Sequence, residues 1–371
     1  MEQANILIVG GGIGGLTSAI ALRQHGHVVT VIERDPDWSV YGVGIIQQGN
    51  VLRAMKQLGL LEDYLSASVG FDAVAVHAPD GTMVARVPSP RLVEDCPANV
   101  GIGRPALQKV LADKTMALGA EVRLGLTVDR LDDDGEGVTV TFSDGSSQRF
   151  DLVVGADGVH SQTRGMLFPD LEGPQFTGQA VWRYNLPRPE GLDALHVYNG
   201  PIGAGLVPIS DALMYIYLTT PEPGNPWYPT EGLAEAMRSK MVSLPDEIRQ
   251  LGEAITEDEG VVYRPLEGMI VRGDWHKGRV ALLGDAVHAT TPHLGQGAGL
   301  AIEDSLVLAD ELARADTPEV AFKAYRDRRY KRCAYIVDKS LEICMGQLGK
   351  GPPVDNAKAT AEMFGVVAQP I

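Results

Sequence analysis

The chain has 371 residues, of which 44% are hydrophobic and 43 are glycine, enough apolar material for a large core with many tight turns and for more than one typical domain. Its formal net charge of -16 excludes generic attraction to nucleic acid or to an anionic membrane, because such a surface is repelled by phosphate. Cys96, Cys333 and Cys344 are odd in number and lack CxxC or metal-ligand spacing, which argues against a disulfide framework or a zinc site and fits a reducing cytoplasm.

The first residues run directly into a strand, leaving no basic n-region or cleavage site, and no later apolar run is long enough to span a bilayer; a soluble, cytoplasmic protein is expected. Residues 5–9 end at Gly10-Gly11-Gly12-Ile13-Gly14-Gly15, after which Leu16, Ala19, Ile20 and Leu22 recur at helical spacing. The spacing predicts strand, turn, helix. Gly10, Gly12 and Gly15 hold the fingerprint positions of a dinucleotide site: one makes the tight turn, one admits a pyrophosphate, one lets helix and strand pack closely. The helix amino terminus, with Ile13 and Gly14, then faces the phosphates. A second strand over residues 28–32 leads to Glu33 and Arg34, where a carboxylate accepts hydrogen bonds from a ribose 2'-hydroxyl and disfavours a 2'-phosphate. NAD and FAD share this adenosine half, so the unit alone leaves the dinucleotide open.

Further along lies a glycine loop, Tyr41-Gly42-Val43-Gly44-Ile45. Gln47 and Gln48 follow it, either as substrate-facing amides or as an ordinary helix start. Residues 73–77 and 83–87 alternate in polarity around Pro79-Asp80-Gly81, a hairpin signal. Arg104 and Gln108 open the helix after Gly103. At residues 151–164 an apolar strand meets a turn at Asp157-Gly158 and then a helix capped by Ser161. Strands are predicted over residues 181–185, 195–198, 204–207 and 213–219, with helical segments over 233–251 interrupted at Pro245. Alternation places Leu213, Tyr215 and Tyr217 on one face. From this sheet Arg183, Tyr198, Tyr215 and Tyr217 are candidates to line a pocket, with core packing as the competing role of each tyrosine and a domain-interface ion pair as that of Arg183.

In the segment 278–304 an apolar strand ends at Gly284-Asp285, where a carboxylate suits polyol hydroxyls. A turn holding Pro292 and Gly295 then opens a helix near Gly297 and Ala298, whose unpaired N–H groups and dipole suit an electron-rich ring carbonyl. His288 and His293 have no third ligand nearby in sequence, so packing is their expected role and no metal is expected. Residues 318–346 read as helix, with Arg326, Arg328, Arg329, Lys331 and Arg332 as a solvated or salt-bridged face. From Gly349 the periodicity is weak, as in a tail that packs on a neighbour or frays.

Taken in order, these three motifs resemble the group A flavoprotein monooxygenases, the family of 4-hydroxybenzoate, salicylate and 6-hydroxynicotinate hydroxylases, over roughly residues 5 to 345. The resemblance implies FAD as cofactor. It places Gly44 and Ile45 beside the flavin, Arg104 and Gln108 near its phosphate or ribityl chain, Asp157 between FAD and the nicotinamide approach, and Asp285, Gly295, Gly297 and Ala298 at the ribityl chain and ring. Pro292 would shelter the oxygen site and Tyr215 matches a substrate-pocket tyrosine of urate and hydroxynicotinate hydroxylases; these two are the catalytic candidates. Gln47, Arg183, Tyr198, Tyr217 and Pro292 are further substrate contacts. At Ala298-Gly299 many relatives carry asparagine, so side-chain contacts there do not carry over.

The implied reaction is reduction of FAD by NADH or NADPH, then addition of O2 at flavin C4a to give a hydroperoxide that hydroxylates a small aromatic or heteroaromatic substrate. Only one dinucleotide fingerprint is present, so NAD(P)H is expected to bind transiently. Rivals are another flavin reaction on the scaffold (epoxidation, ring-opening oxygenation or reduction) and a non-catalytic FAD-binding regulator. A halogenase is disfavoured because Trp38, Trp182, Trp227 and Trp275 cannot form W-x-W. The expected architecture is α/β: a Rossmann-type FAD domain (1–70, 101–175, 263–325) interleaved with a mostly antiparallel substrate domain (71–100, 176–262) and a C-terminal helical segment (326–371), as monomer or homodimer.

Overall fold

A computed structural model describes residues 3–371. At its centre Asn5–Val9 pairs in parallel with Val28–Glu33 on one side and Leu152–Gly155 on the other; Glu121–Leu124 and Val280–Leu282 extend the sheet outward, and His276–Lys277 adds an antiparallel edge. The chain order reverses between Asn5–Val9 and Leu152–Gly155. At such a switch point the helices leave on opposite faces and a crevice opens at the carboxyl ends of the strands. Near-continuous apolar strands explain burial on both sides: Ile6, Leu7, Ile8, Val31, Ile32, Leu152, Val153 and Val154 are all fully buried.

The helix Ile13–Gln24 packs against the long helix Gly297–Arg314. Their approach is close because Gly14 faces Ala301, and it is bonded through the hydroxyls of Thr17, Ser18 and Ser305. The amino termini of both helices therefore open into one crevice.

A second, seven-stranded sheet runs in the order Val262–Gly268, Gln175–Pro187, Leu213–Pro221, Gly203–Pro208, Leu195–Tyr198, Ala73–His77, Met83–Pro88. The hairpin around Pro79-Asp80-Gly81 is present, and Leu233–Lys240 and Asp246–Leu251 break at Pro245. Its back face packs Trp182, Met214, Ile216 and Leu218 against those helices. Val262–Gly268, expected within the FAD domain, is instead an edge strand here, paired with Gln175–Pro187.

At the carboxyl end the structure selects between the alternatives. Arg329 and Arg332 are salt-bridged rather than solvated: both are buried in the helix Pro318–Gln347 and pair with Glu303 and Asp304 of Gly297–Arg314. The carboxylates are buried, so the cations must follow them. The tail past Gly349 does not fray but forms the helix Asn356–Ala368, capped by Asp355 and burying Ala359, Met363 and Val367. Its weak pattern reflects a narrow contact stripe. Among the described residues no helix is long and apolar enough to cross a membrane.

Candidate active site

The crevice forms a cavity of about 1250 Å³ between the parallel sheet and the open face of the seven-stranded sheet. Small-molecule sites are usually roughly 300–1,000 Å³, so there is room for a cofactor and a second ligand.

Within the first turn the glycines divide their tasks. A Cβ on Gly10, at φ +109°, would lie 2.4 Å from the Ala156 carbonyl oxygen, and one on Gly15 would lie 1.8 Å from that of Gly10. Both permit close packing and neither lines the cleft. Gly12 has nothing within 4 Å of its Cβ position and faces the cavity, an open cradle beside a helix end without a side-chain cap. Glu33 accepts from the N–H groups of Gly11 (2.8 Å) and Asp35 (3.0 Å). Gln108 and Trp38 both donate to the Gly11 carbonyl, fixing the turn from behind, while Arg34 is exposed at the cleft mouth.

Asp157 accepts from the Ser161 hydroxyl (2.5 Å) and from the N–H and hydroxyl of Thr163 (both 2.9 Å), so its carboxylate shapes the Asp-Gly turn at the cavity edge. Arg164, buried, donates to the carbonyls of Val159 and Ala286 and ties this turn to the Gly284-Asp285 segment. There Gly284, at φ 64°, turns the chain so that Asp285 enters the cleft. Cleft water reaches Asp285, but protein surrounds it: this enclosure raises its carboxyl above the ordinary range, with His288 and Arg104 opposing.

Behind Asp285, Asp304 accepts from Gly284 N–H (3.1 Å), His288 Nε2 (2.6 Å) and Arg329 Nε (2.7 Å). Burial alone would raise Asp304, but His288 and Arg329 outweigh it and hold it at about 2. His288, Asp304 and Cys333 cluster closely enough to suggest a metal site, yet the guanidinium of Arg329 already occupies the carboxylate.

Gly295, at φ 65°, closes the turn after Pro292, and Gln296 starts the next helix. Gly297 and Ala298 line the cavity, whereas Gln296 and Gln48 bond to each other, with Gln48 Nε2 donating to the Leu294 carbonyl (3.0 Å). Of the two adjacent glutamines it is Gln48 that meets the cleft. Gln47 is a correction: one residue earlier on a strand, it points away and accepts from buried Tyr64. His293, enclosed and held down to about 4 by burial, bonds Thr291 Oγ1 and Gln347 Oε1 through its two ring nitrogens and is not a free base.

Facing this loop, the open side of the seven-stranded sheet carries Arg183, Tyr215 and Tyr217. Tyr217 lies flat across Gly205, where a Cβ would come within 2.2 Å of its ring. Tyr198 borders the cavity and fills both roles expected of it. In register with Ala204, it belongs to the back face, and its ring stacks on His77 at 4.2 Å. Among the described residues Arg183 has no hydrogen-bond or ion-pair partner; burial lowers it to about 10, with Arg104 and Arg264 adding repulsion. The Arg104 guanidinium is likewise unpaired and lowered by burial. A cleft that holds two uncompensated cations is made for anions. Sequence reading missed Arg264, which donates to the Tyr41 hydroxyl (3.0 Å) and covers its ring, and Asn185, which holds the Gly42 carbonyl (2.8 Å); both anchor the glycine loop across domains, a pairing with no sequence signal.

Glycine-lined turns, three long helices beginning at Gly12, Gly103 and Gln296 without side-chain caps, and unpaired cations in one crevice define a nucleotide-cofactor oxidoreductase fold whose residues fit FAD. A family model described as FAD binding domain matches residues 3–340, and the chain belongs to that family. It is 32% identical over 353 residues to 3-hydroxybenzoate 6-hydroxylase of Polaromonas naphthalenivorans, covering 91% of this chain and 86% of that protein. It is also 32% identical over 358 residues to aurachin C monooxygenase/isomerase of Stigmatella aurantiaca, covering 93% and 89%. Among solved structures, Klebsiella pneumoniae HpxO complexed with FAD and uric acid superposes with a TM-score of 0.84 at 26% identity, covering 98% of this chain and 92% of that one. The expected fold, FAD cofactor and monooxygenase class therefore hold.

Proposed function

We propose that this protein uses FAD, NAD(P)H and O2 to hydroxylate a small aromatic or heteroaromatic compound that presents an anionic oxygen to Arg183. The observation that carries the reading is the enclosed, partnerless Arg183 on the same sheet face as Tyr215 and Tyr217, across the cleft from Pro292 to Gly297. Bound FAD supplies reductive activation of oxygen; this chain binds, orients and excludes water. Gly12, Glu33, Arg104 and Asp285 hold the cofactor. Burial pushes the phenols of Tyr215 and Tyr217 above their ordinary range, so both stay neutral donors at physiological pH and orient the substrate without taking its proton. The loop at Pro292 shields the reacting face.

The test is an absorbance spectrum of purified protein, followed by NADH and NADPH oxidation with phenolic and heteroaromatic acids and product mass. A flavin spectrum, stimulated oxidation by one compound and a product heavier by one oxygen are expected. Loss of stimulation when the acid is replaced by its amide is also expected; equal stimulation by acid and amide overturns the Arg183 contact, and reduction without oxygenated product overturns the hydroxylase reading.

A further inference from the structure

The cleft face of the seven-stranded sheet changes character from one side to the other. Across the register Arg183 pairs with Tyr217, Tyr217 with Gly205, Gly205 with Val197 and Val197 with Val76. Two residues earlier on the last two strands, and on the same face, stand Leu195 and Val74. The face thus runs from cation through phenols to aliphatic surface. The cavity is also lined by the helix Asn356–Ala368, which contributes Thr360, Met363 and Phe364.

This wall is fixed firmly. Arg53 donates to the carbonyls of Val367, Ala368 and Gln369, Arg332 donates to those of Gln369 and Pro370, and Asn356 Nδ2 donates to Asn199 Oδ1 at 3.2 Å. Leu195, Val197, Val74, Met363 and Phe364 carry no polar side-chain group, whereas Asn199, Asn356 and Thr360 line the same cavity, so a wholly polar ligand would leave the apolar part of this surface against water.

We infer that the aromatic acceptor carries a hydrocarbon arm of several carbons, which occupies this chamber while its ring stands between Tyr215 and the Pro292 loop. The inference rests on the hydroxylase reading for the position of the ring. An unsubstituted aromatic acid would fill the charged side and leave the aliphatic side wet. Each methylene transferred there is worth about fourfold in affinity.

The experiment titrates 4-n-alkyl-2-hydroxybenzoates, from methyl to octyl, into the FAD-loaded protein and reads Kd from the perturbation of flavin absorbance, with NAD(P)H oxidation measured in parallel. The Kd is expected to fall about fourfold per methylene until the chamber is full, and then to level. Thr360→Trp, which projects into the chamber, should abolish the dependence on length; Phe364→Ala should move the plateau to a longer chain. Flavin content equal to wild type shows that each variant is folded, and either variant suffices. A Kd independent of chain length in the wild type, or an unaltered length dependence in both variants, overturns the arm. Stimulated NAD(P)H oxidation without length dependence sinks the arm and spares the hydroxylase reading, whereas length-dependent binding without stimulated oxidation by any member sustains the chamber and removes that reading.

Discussion

Gly12 and Gly15 stand three residues apart, yet a methyl group has opposite meanings at the two positions. At Gly15 it would collide with the Gly10 backbone, so Gly15→Ala is expected to lower stability by several kcal/mol and to leave little folded protein, as read by thermal melting. At Gly12, φ is -82° and the Cβ position is open. Gly12→Ala should melt within about 0.5 kcal/mol of wild-type apoprotein while losing retained FAD, because only the cofactor would meet the methyl. Arg183 offers a complementary case. Its value is lowered from 12.5 to about 10, so at neutral pH the fold carries a cation it would rather release. Arg183→Met should stabilise the apoprotein by roughly 1–2 kcal/mol, after discounting for the cleft water that screens the guanidinium, and should raise KM for an acidic substrate by about 10- to 100-fold. Equal melting temperatures would show that Arg183 has a protein partner in solution.

At the scale of elements, the helices Gly297–Arg314 and Pro318–Gln347 meet through Glu303 and Asp304 against Arg329 and Arg332, and the same Asp304 holds Gly284 and His288 in place. Asp304→Asn leaves Arg329 short of its counter-charge and should cost about 3–5 kcal/mol, measured by urea unfolding. The pH dependence follows from both partners. His288 is held well above 6.5 because Cys333 and Asp304 outweigh its burial, so its contribution is complete below pH 6.5 and is lost as pH rises through the folded value. Asp304, held at about 2 against 3.8, contributes above pH 3.8 and loses its contribution as pH falls toward 2. Between pH 6.5 and 9 the wild type should therefore lose stability more steeply than His288→Gln. Parallel slopes would mean that His288 is neutral in the fold.

For the whole molecule, three chain segments converge on one cleft, so a cofactor bound as proposed would cross-brace the parallel sheet, the Asp-Gly turn and the helix Gly297–Arg314. Thermal melting with FAD at 100 times its Kd should show a gain of about 2.7 kcal/mol over apoprotein. No gain on addition of FAD, with flavin bound to the folded protein, would mean that the unfolded chain binds it as well. The motifs were legible because local chemistry dictates them: tight turns need glycine at positive φ, and helix ends that receive phosphate need backbone without side-chain caps. The strands around Arg183, Tyr215 and Tyr217 were equally legible from period-two alternation.

Position along the chain determined the three motifs, most strands of the two larger sheets and the residue types offered to FAD. Register decided the rest. One residue of register separates Gln47 in the core from Gln48 at the cleft. Such parity depends on hydrogen bonds to strands far away in sequence. Nor could composition tell that the basic run at 326–332 turns two arginines inward, since their carboxylates lie about 25 residues earlier on another helix, or that Asn356–Ala368 returns to wall the cavity. Local propensity writes elements into the sequence; which side chains share a cleft is fixed only when distant elements pack and compete for the same buried volume.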